Sequence, residues 1–522
     1  MIDRSDDPAT PGRSGISRRA LLLGGAAAVA GAAAAGGVLG GETPSAAAAP
    51  AGLFTPDAPE VRAALQVLGK RTLRHPGSRP APHLPAGTDT MPEIEHIVVL
   101  MMENHSYDNF LGMLGRGEGQ RPRGDGFTIG KNGRPTATNP RPDGRTQHAF
   151  RMPTTCQLHQ RPSNEWVSSH EQFNNGKMDG FVRAPVAPSI PLENGPVAMG
   201  YWTEHDLPFF YDLATHFPIC DRFFCSLLGA THANRRFLIA GTSCGMTGDV
   251  ETNPSELSSD VALVVPANGT IFDRLTLHGI SWTDYCAEWP LGASAELYPL
   301  NDVLTAVQKK PLDAFFTDAA AGSLPGFSLI DPDFGTQSQE NPQNIVVGEK
   351  LLQRVVDAVG RSPAWHKTIL FITYDEHGGY YDHVPPPVAL APDLIPPLVK
   401  LKEPTYDGFR RYGFRVPAIV VSPYAKRDHV SSKVHDFGSI LAFVERKWNL
   451  GALTYRDANA NDLTDCLDLA AMRRREPTFP KLPAMRPANY TRAALKCGTT
   501  GPGQIPPEGS ISGRRKSATS GP

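Results

Sequence analysis

The chain has 522 residues with 51 Lys and Arg against 53 Asp and Glu, a formal net charge of −2. That balance gives no electrostatic case for a nucleic-acid partner or for simple attraction to an anionic membrane. Its seven cysteines (Cys156, Cys220, Cys225, Cys244, Cys286, Cys466, Cys497) show no paired C-x-x-C spacing, which argues against zinc held by thiolates and leaves room for disulfides with at least one thiol over.

From the N-terminus, Ser17-Arg18-Arg19-Ala20-Leu21-Leu22 precedes an uncharged Ala/Gly/Leu-rich stretch to about Gly41, and Ser45 to Ala49 supplies small residues of the A-x-A type. Residues 1–49 are therefore expected to be a cleaved twin-arginine signal, handled by the twin-arginine export machinery, and the protein to act outside the cytoplasm, secreted or in the cell envelope. A stretch made mostly of Ala and Gly would insert only weakly as a membrane anchor. Residues 50–90 are Pro-rich, an arm or linker with one helical patch near Val61 to Leu68. Residues 91–480 show no internal repeat and no second compositional block, so one large α/β domain is expected, followed by a tail over 481–522 whose Gly501 to Pro522 end lacks periodicity.

Within the domain, Ile97 to Met102 forms an apolar run that stops at Glu103-Asn104. Cys225-Ser-Leu-Leu-Gly-Ala-Thr231-His-Ala-Asn234-Arg235 passes through Gly229 into a helix-like run, placing Thr231 near a helix N-terminus whose N–H groups can bind a phosphate oxygen. Asn234, one turn on, is a candidate donor to a non-bridging oxygen, and Arg235 a source of charge. Strands follow at Phe327 to Ile330, Thr368 to Tyr374 and Pro417 to Ser422, with helices at Ile345 to Val359 and Ser439 to Trp448. The alternation over 327–448 predicts parallel pairing and converging carboxyl ends. The second long run, Thr368 to Tyr374, leads straight into Asp375-Glu376-His377-Gly378-Gly379. Two distant strands thus deliver Glu103, Asn104, Asp375 and Glu376, hard oxygen donors that suit a divalent metal ion.

Three long segments resemble the bacterial phospholipase C and acid phosphatase family of phosphoesterases: Glu103-Asn-His-Ser-Tyr-Asp108, Gly229-Ala-Thr-His-Ala-Asn-Arg235 and Tyr374-Asp-Glu-His-Gly-Gly-Tyr-Tyr-Asp-His-Val384. Weaker matches are Asn175-Gly-Lys-Met-Asp-Gly180 and Gly413-Phe-Arg-Val-Pro417. The resemblance implies an alkaline-phosphatase-like fold, a three-layer sandwich with a mainly parallel central sheet flanked by helices. It also implies a metal held by Glu103, Asn104, Asp375 and Glu376, Thr231 as nucleophile, Asn234 as phosphate-binding amide and His170 as an active-site histidine. Two departures stand out: Asn341 precedes Pro342 where the family often has His, and Phe437 follows Asp436 where it often has another. The general acid is then sought among His170, His383 and His435, while His96 is expected to be structural.

The leading expectation is a metal-dependent phospholipase C cutting phospholipid to diacylglycerol and a phosphorylated head group. A broad-specificity acid phosphatase is the alternative, because the same nucleophile and donors serve both reactions. A binding protein that lost turnover is a third class, against which the retained acids and Thr231 argue. Membrane contact, if any, would come from the loop around Pro385 to Pro397.

Overall fold

The computed structural model describes residues 54–157, 162–184, 192–249, 266–288, 308–399 and 403–488. These belong to one compact unit spanning Gly52–Pro522. The expected signal over 1–49 and nearly all of the tail lie outside the described residues.

Eight strands form the main sheet: His96–Met102 (β1), Ile219–Cys220 (β2), Trp282–Cys286 (β3), Lys309–Pro311 (β4), Phe327–Asp331 (β5), Thr368–Tyr374 (β6), Ala418–Val421 (β7) and Val430–Ser431 (β8). Their order is β8-β2-β7-β6-β1-β5-β3-β4. The two long apolar runs lie side by side and parallel at its centre, from His96 opposite Thr368 to Met102 opposite Tyr374. Every residue of both is buried, which is why they appear in the sequence as unbroken apolar runs rather than alternating ones.

Helices cover both faces. Phe371 meets Phe443 of the helix Phe437–Trp448 with ring centroids 5.1 Å apart, whereas Tyr374 meets Phe210 of the helix Pro208–His216 at 6.2 Å. Strand positions an odd number of residues apart point to opposite faces, so these helices lie on opposite sides. The architecture is the expected α/β three-layer sandwich.

One expectation fails. β7 runs antiparallel to β6, with Val421 opposite Leu370 and Ala418 opposite Thr373, so its carboxyl end lies away from those of β1 and β6. No helix occurs among the described residues between β6 and β7. Without a crossover helix the chain re-enters the sheet from the end it left. It is therefore the stretch before β7, Gly413 to Pro417, that reaches the same end as Glu103 and Asp375.

The segment before β1 packs on the domain. Its helix, Pro59–Val67, buries Val61, Ala64 and Leu65 in a small cluster with Leu390. Asn449 takes the N–H of Ala81 and donates to the carbonyls of Ala81, Leu84 and Pro85. Cys156 is disulfide-bonded; Cys220, Cys225, Cys244, Cys286 and Cys466 are free and buried.

Candidate active site

The carboxyl ends of β1 and β6 are locked together by backbone and side chain. Asp375 donates its N–H to the Met102 carbonyl (3.1 Å), and its Oδ1 accepts from the N–H groups of Asn104 (3.0 Å) and Glu376 (2.7 Å). Asn104 adopts φ 67°, a left-handed conformation that Asn tolerates better than most residues. Gly378, at φ 62°, presses on it so closely that a Cβ there would lie 2.1 Å from the Asn104 carbonyl oxygen. Glu376 accepts from Asn164 Nδ2 (2.8 Å) and from the Gly378 N–H (2.7 Å).

Thr231 faces this corner. It is the first residue of the helix Thr231–Ala240, and Ala230 at the cap offers no side-chain acceptor. Its Oγ1 donates to Asn104 Oδ1 (3.4 Å), and the hydroxyl lies close enough to the Asp375 carboxyl to favour its ionised form. In the same helical turn the His232 N–H is met by the Asp249 carboxylate at 2.8 Å, the kind of anion a helix N-terminus favours. Arg235 reaches beneath the acids, 3.7 Å from Glu103 Oε1, 3.5 Å from Asp375 Oδ2 and 3.3 Å from Asp331 Oδ1. Asp331 and Asn164 were not singled out in the sequence. Asp331 carried a usable signal, an acid ending an apolar strand as Glu103 and Asp375 follow theirs; Asn164 carried none.

Three carboxyl groups buried this closely resist ionisation. Burial, then Asp375 and Glu340, push Glu103 well above the usual carboxylate range; burial and then Asp375 do the same to Glu376. Burial also raises Asp375, against the pull of Arg235 and its N–H donors. Glu103 Oε2 and Asp375 Oδ2 are buried with no hydrogen-bond partner. Arg235 alone is shared among Glu103, Asp375 and Asp331. Unpartnered hard oxygens beside the Asn104 amide fit a divalent cation of the oxygen-preferring kind, which would relieve the desolvated charge. A second group, Asp108, Asp382 and His383, has ligand atoms within 4.8 Å of one another, but a guanidinium already fills it. Arg415 lies 3.1 Å from Asp108 and 2.9 Å from Asp382.

The remaining candidates separate. Asn234 is fully buried, and its amide is spent on the loop before Thr231. Its Oδ1 accepts from Ser226 N (2.9 Å) and Leu227 N (3.1 Å), and its Nδ2 donates to Gly229 O (2.9 Å). It shapes the loop and is not free to meet phosphate, a correction to the expectation above. His383 places both ring nitrogens on carboxylates, Asp108 at 2.7 Å and Asp125 at 3.3 Å. Burial opposes its charge, but Asp108 prevails and raises its pKa, so it belongs to the Arg415 cluster. His435 is buried and bonded to Ser431 (3.1 Å), Ser439 (3.3 Å) and the Asn461 carbonyl (3.2 Å), with burial lowering its pKa. It, too, is placed in the framework rather than beside Thr231. His96 bonds the Pro325 carbonyl (3.1 Å) at the start of β1.

His170 sits on the helix Trp166–Phe173, two turns beyond Asn164, the residue that holds Glu376. Its Nδ1 donates to the Trp166 carbonyl (2.7 Å), its Nε2 lies 3.9 Å from Asp407, and its ring stacks on Tyr406 at 3.8 Å. Asn341, at the first departure from the family pattern, donates to the Tyr380 hydroxyl (3.2 Å), and Phe437, at the second, is a core residue.

Comparison with known proteins gives this corner a lineage. The model of the phosphoesterase family matches residues 94–451, which contain Glu103, Asn104, His170, Thr231, Asn234, Asp375 and Glu376. Phospholipase C B of Mycobacterium tuberculosis is 31% identical over 421 residues, covering 73% of this chain and 78% of its own length. The non-hemolytic phospholipase C of Pseudomonas aeruginosa is 30% identical over 438 residues, covering 75% of this chain and only 59% of its own length. Non-specific phospholipase C1 of Arabidopsis thaliana is 30% identical over 390 residues, covering 70% of this chain and 69% of its own length. A solved structure of an alkaline phosphatase superfamily protein from Vibrio parahaemolyticus matches at 11% identity and a TM-score of 0.28, over 60% of this chain and 71% of that one, too slight to carry an argument. On the family match and the mycobacterial relative, the chain belongs to the phosphoesterase family, hydrolases of phosphoric ester bonds.

Proposed function

We propose that the protein is an exported, metal-dependent phospholipase C that uses Thr231 as its nucleophile. The observation that carries this is the placement of the Thr231 hydroxyl, at a helix N-terminus whose cap residue Ala230 offers no acceptor, against Asn104 and Asp375 and beside buried acids with unpartnered oxygens. A divalent cation held by Glu103, Asn104, Asp375 and Glu376 would supply Lewis-acid stabilisation of charge and lower the proton affinity of the threonine oxygen. The Thr231 oxygen forms a bond to phosphorus as the bond from phosphorus to the glycerol oxygen breaks, and N–H groups of the first helical turn meet a non-bridging oxygen. The diacylglycerol oxygen takes a proton from His170. Nδ1 of that ring is committed to the Trp166 carbonyl, which leaves Nε2, backed by Asp407, as the nitrogen that exchanges protons. Water then gives a proton back to His170 as its oxygen bonds phosphorus and the bond from phosphorus to the Thr231 oxygen breaks, which releases the phosphorylated head group.

The names of the relatives favour a lipid substrate, and so does the surface. Of the four large hydrophobic side chains noted as exposed among the described residues, three lie between 394 and 406: Leu394, Leu398 and Tyr406. Tyr406 and Leu398 border the site. Tyr406 stacks on His170; Leu398 is tied to Gly245 (2.7 Å) and Thr247 (3.4 Å), and Thr247 accepts from the Ala230 N–H. Export is proposed from the twin arginines Arg18-Arg19 and the apolar stretch behind them.

The deciding experiment sets metal-loaded protein on phosphatidylcholine vesicles beside a simple phosphomonoester. Release of diacylglycerol with little monoester turnover is the expected result. Turnover of the monoester alone would replace this reading with a broad phosphatase, and turnover of neither by metal-loaded protein would remove it.

A further inference from the structure

A second group of metal-ligating side chains lies at the edge of the sheet, two strands beyond β6 and built from other residues. Cys220 ends β2, and β8 pairs beside it with Ser431 opposite Cys220. His429 immediately precedes β8, and Asp465 and Cys466 come from the short turn Thr464–Cys466. Ligand atoms of His429, Asp465 and Cys466 lie within 4.8 Å of one another. The Cys220 and Cys466 sulfurs are 3.9 Å apart, and His429 Nε2 is 3.9 Å from Asp465 Oδ2. That nitrogen is buried and has no hydrogen-bond partner.

These separations have a chemical meaning. Two thiolates bound to one zinc ion at about 2.3 Å span a tetrahedral edge of roughly 3.8 Å, close to the sulfur separation here, whereas a disulfide holds its sulfurs about 2 Å apart. His429, Asp465 and Cys466 supply three mutually close ligand atoms, and Cys220, placed by its sulfur-to-sulfur distance from Cys466, is the candidate fourth; two sulfurs, an imidazole nitrogen and a carboxylate oxygen suit zinc and are softer than the all-oxygen set at Glu103 and Asp375. The surroundings match what such ligands need behind them. Ser431 donates to Asp465 Oδ2 at 2.5 Å, and His435 Nε2 lies 3.1 Å from the Ser431 oxygen and 3.6 Å from Asp465 Oδ1. The sulfurs are fully buried, while the His429 and Asp465 side chains keep 26% and 17% of their surface exposed, which gives an ion a way in.

We propose that Cys220, His429, Asp465 and Cys466 bind a structural zinc ion, distinct from the catalytic metal. The absence of C-x-x-C spacing concealed it, because the ligands come from three segments of chain. On binding, each thiol releases its proton to solvent, and the ion pins edge strand β8 and the 464–466 turn to β2. This gives His435 its place as a positioning residue behind Asp465.

The test uses the full protein, reduced and stripped of metal, titrated with cobalt(II). A sulfur-to-metal charge-transfer absorption that saturates at one equivalent and is displaced by zinc is expected. The oxygen-only site cannot produce this band, so the readout is independent of phosphoesterase activity and of Thr231. Cys466→Ser should weaken the band, leaving only what the Cys220 thiolate contributes, and Asp375→Ala should keep it whole. Cys466 is fully buried, so His429→Gln, at a partly exposed position, provides a second arm if Cys466→Ser fails to fold: its zinc affinity should fall at least ~10-fold with unchanged far-ultraviolet circular dichroism. No thiolate band in the reduced protein, a band undiminished in Cys466→Ser, unchanged affinity in His429→Gln, or a Cys220–Cys466 disulfide in the isolated protein would each overturn the proposal.

Discussion

Thr231, Asn234 and Arg235 occupy barely more than one helical turn and do three different things. Thr231 presents its oxygen to Asn104 and Asp375, Asn234 binds the loop that delivers Thr231, and Arg235 shares its guanidinium among Glu103, Asp331 and Asp375. Residue type and spacing singled out both Thr231 and Asn234, but nothing in the sequence says that the Asn234 amide faces inward to the loop. Two substitutions separate these roles. Thr231→Ala should keep fold and metal while losing turnover by orders of magnitude, Thr231→Ser should retain part of it, and rapid acid quench should trap the phosphorylated head group on Thr231 in the parent. Asn234→Ala should instead lower unfolding stability by about 1–3 kcal/mol, because it strands the buried N–H groups of Ser226 and Leu227. Denaturant titration checks this, and an unchanged midpoint would return Asn234 to the list of candidate phosphate ligands.

Between elements, one buried cluster ties together three segments that are far apart in the chain. Arg415, just before β7, pairs with Asp108 behind β1 and Asp382 behind β6, and its Nη1 donates to the carbonyls of Asp125 and Asp221. This accounts physically for the distance these motifs run past the candidate active-site corner: Asp108, Asp382 and Arg415 need one another. Removing the guanidinium would leave two buried carboxylates uncompensated, so Arg415→Ala should destabilise the fold by roughly 3–5 kcal/mol, measured by chemical denaturation. The elements themselves were largely legible. β6 matches its predicted bounds, and β1 and β5 each extend theirs by one residue, since long apolar runs identify buried strands. The direction of β7 was not legible, because a four-residue apolar strand carries no local mark of its partner's sense. The exposed Leu394 and Leu398 support a further expectation. Leu394→Ser with Leu398→Ser should reduce turnover on phosphatidylcholine vesicles several-fold while leaving a soluble short-chain diester unaffected, and equal losses on both would deny these side chains a role at the lipid surface.

Across the molecule, the central parallel strands β6, β1 and β5 place acids at one end of the sheet, and helices on both faces seal those strands from water. Sealing has a cost that the sequence cannot display, since burial of a charged residue on an amphipathic helix depends on what packs over it. Glu349, on the helix Ile345–Arg361, is fully buried. Its Oε1 accepts from the Phe210 N–H at 3.0 Å, near the start of the helix Pro208–His216, whose cap residue Leu207 supplies no side-chain acceptor, and its Oε2 has no partner. Burial raises its pKa to about 8 despite the N–H groups of Phe210 and Phe209. The unfolded chain ionises this carboxyl near its ordinary value of 4.5, whereas the folded chain holds the proton up to about 8. Folding therefore binds a proton across that window, and stability falls as pH rises from about 4.5 to about 8. Glu349→Gln keeps an acceptor for the Phe210 N–H and removes the titration. Its melting temperature should match the parent's near pH 5 and exceed it at pH 8, and a variant no more stable than the parent at pH 8 would show that Glu349 is already ionised in the folded protein.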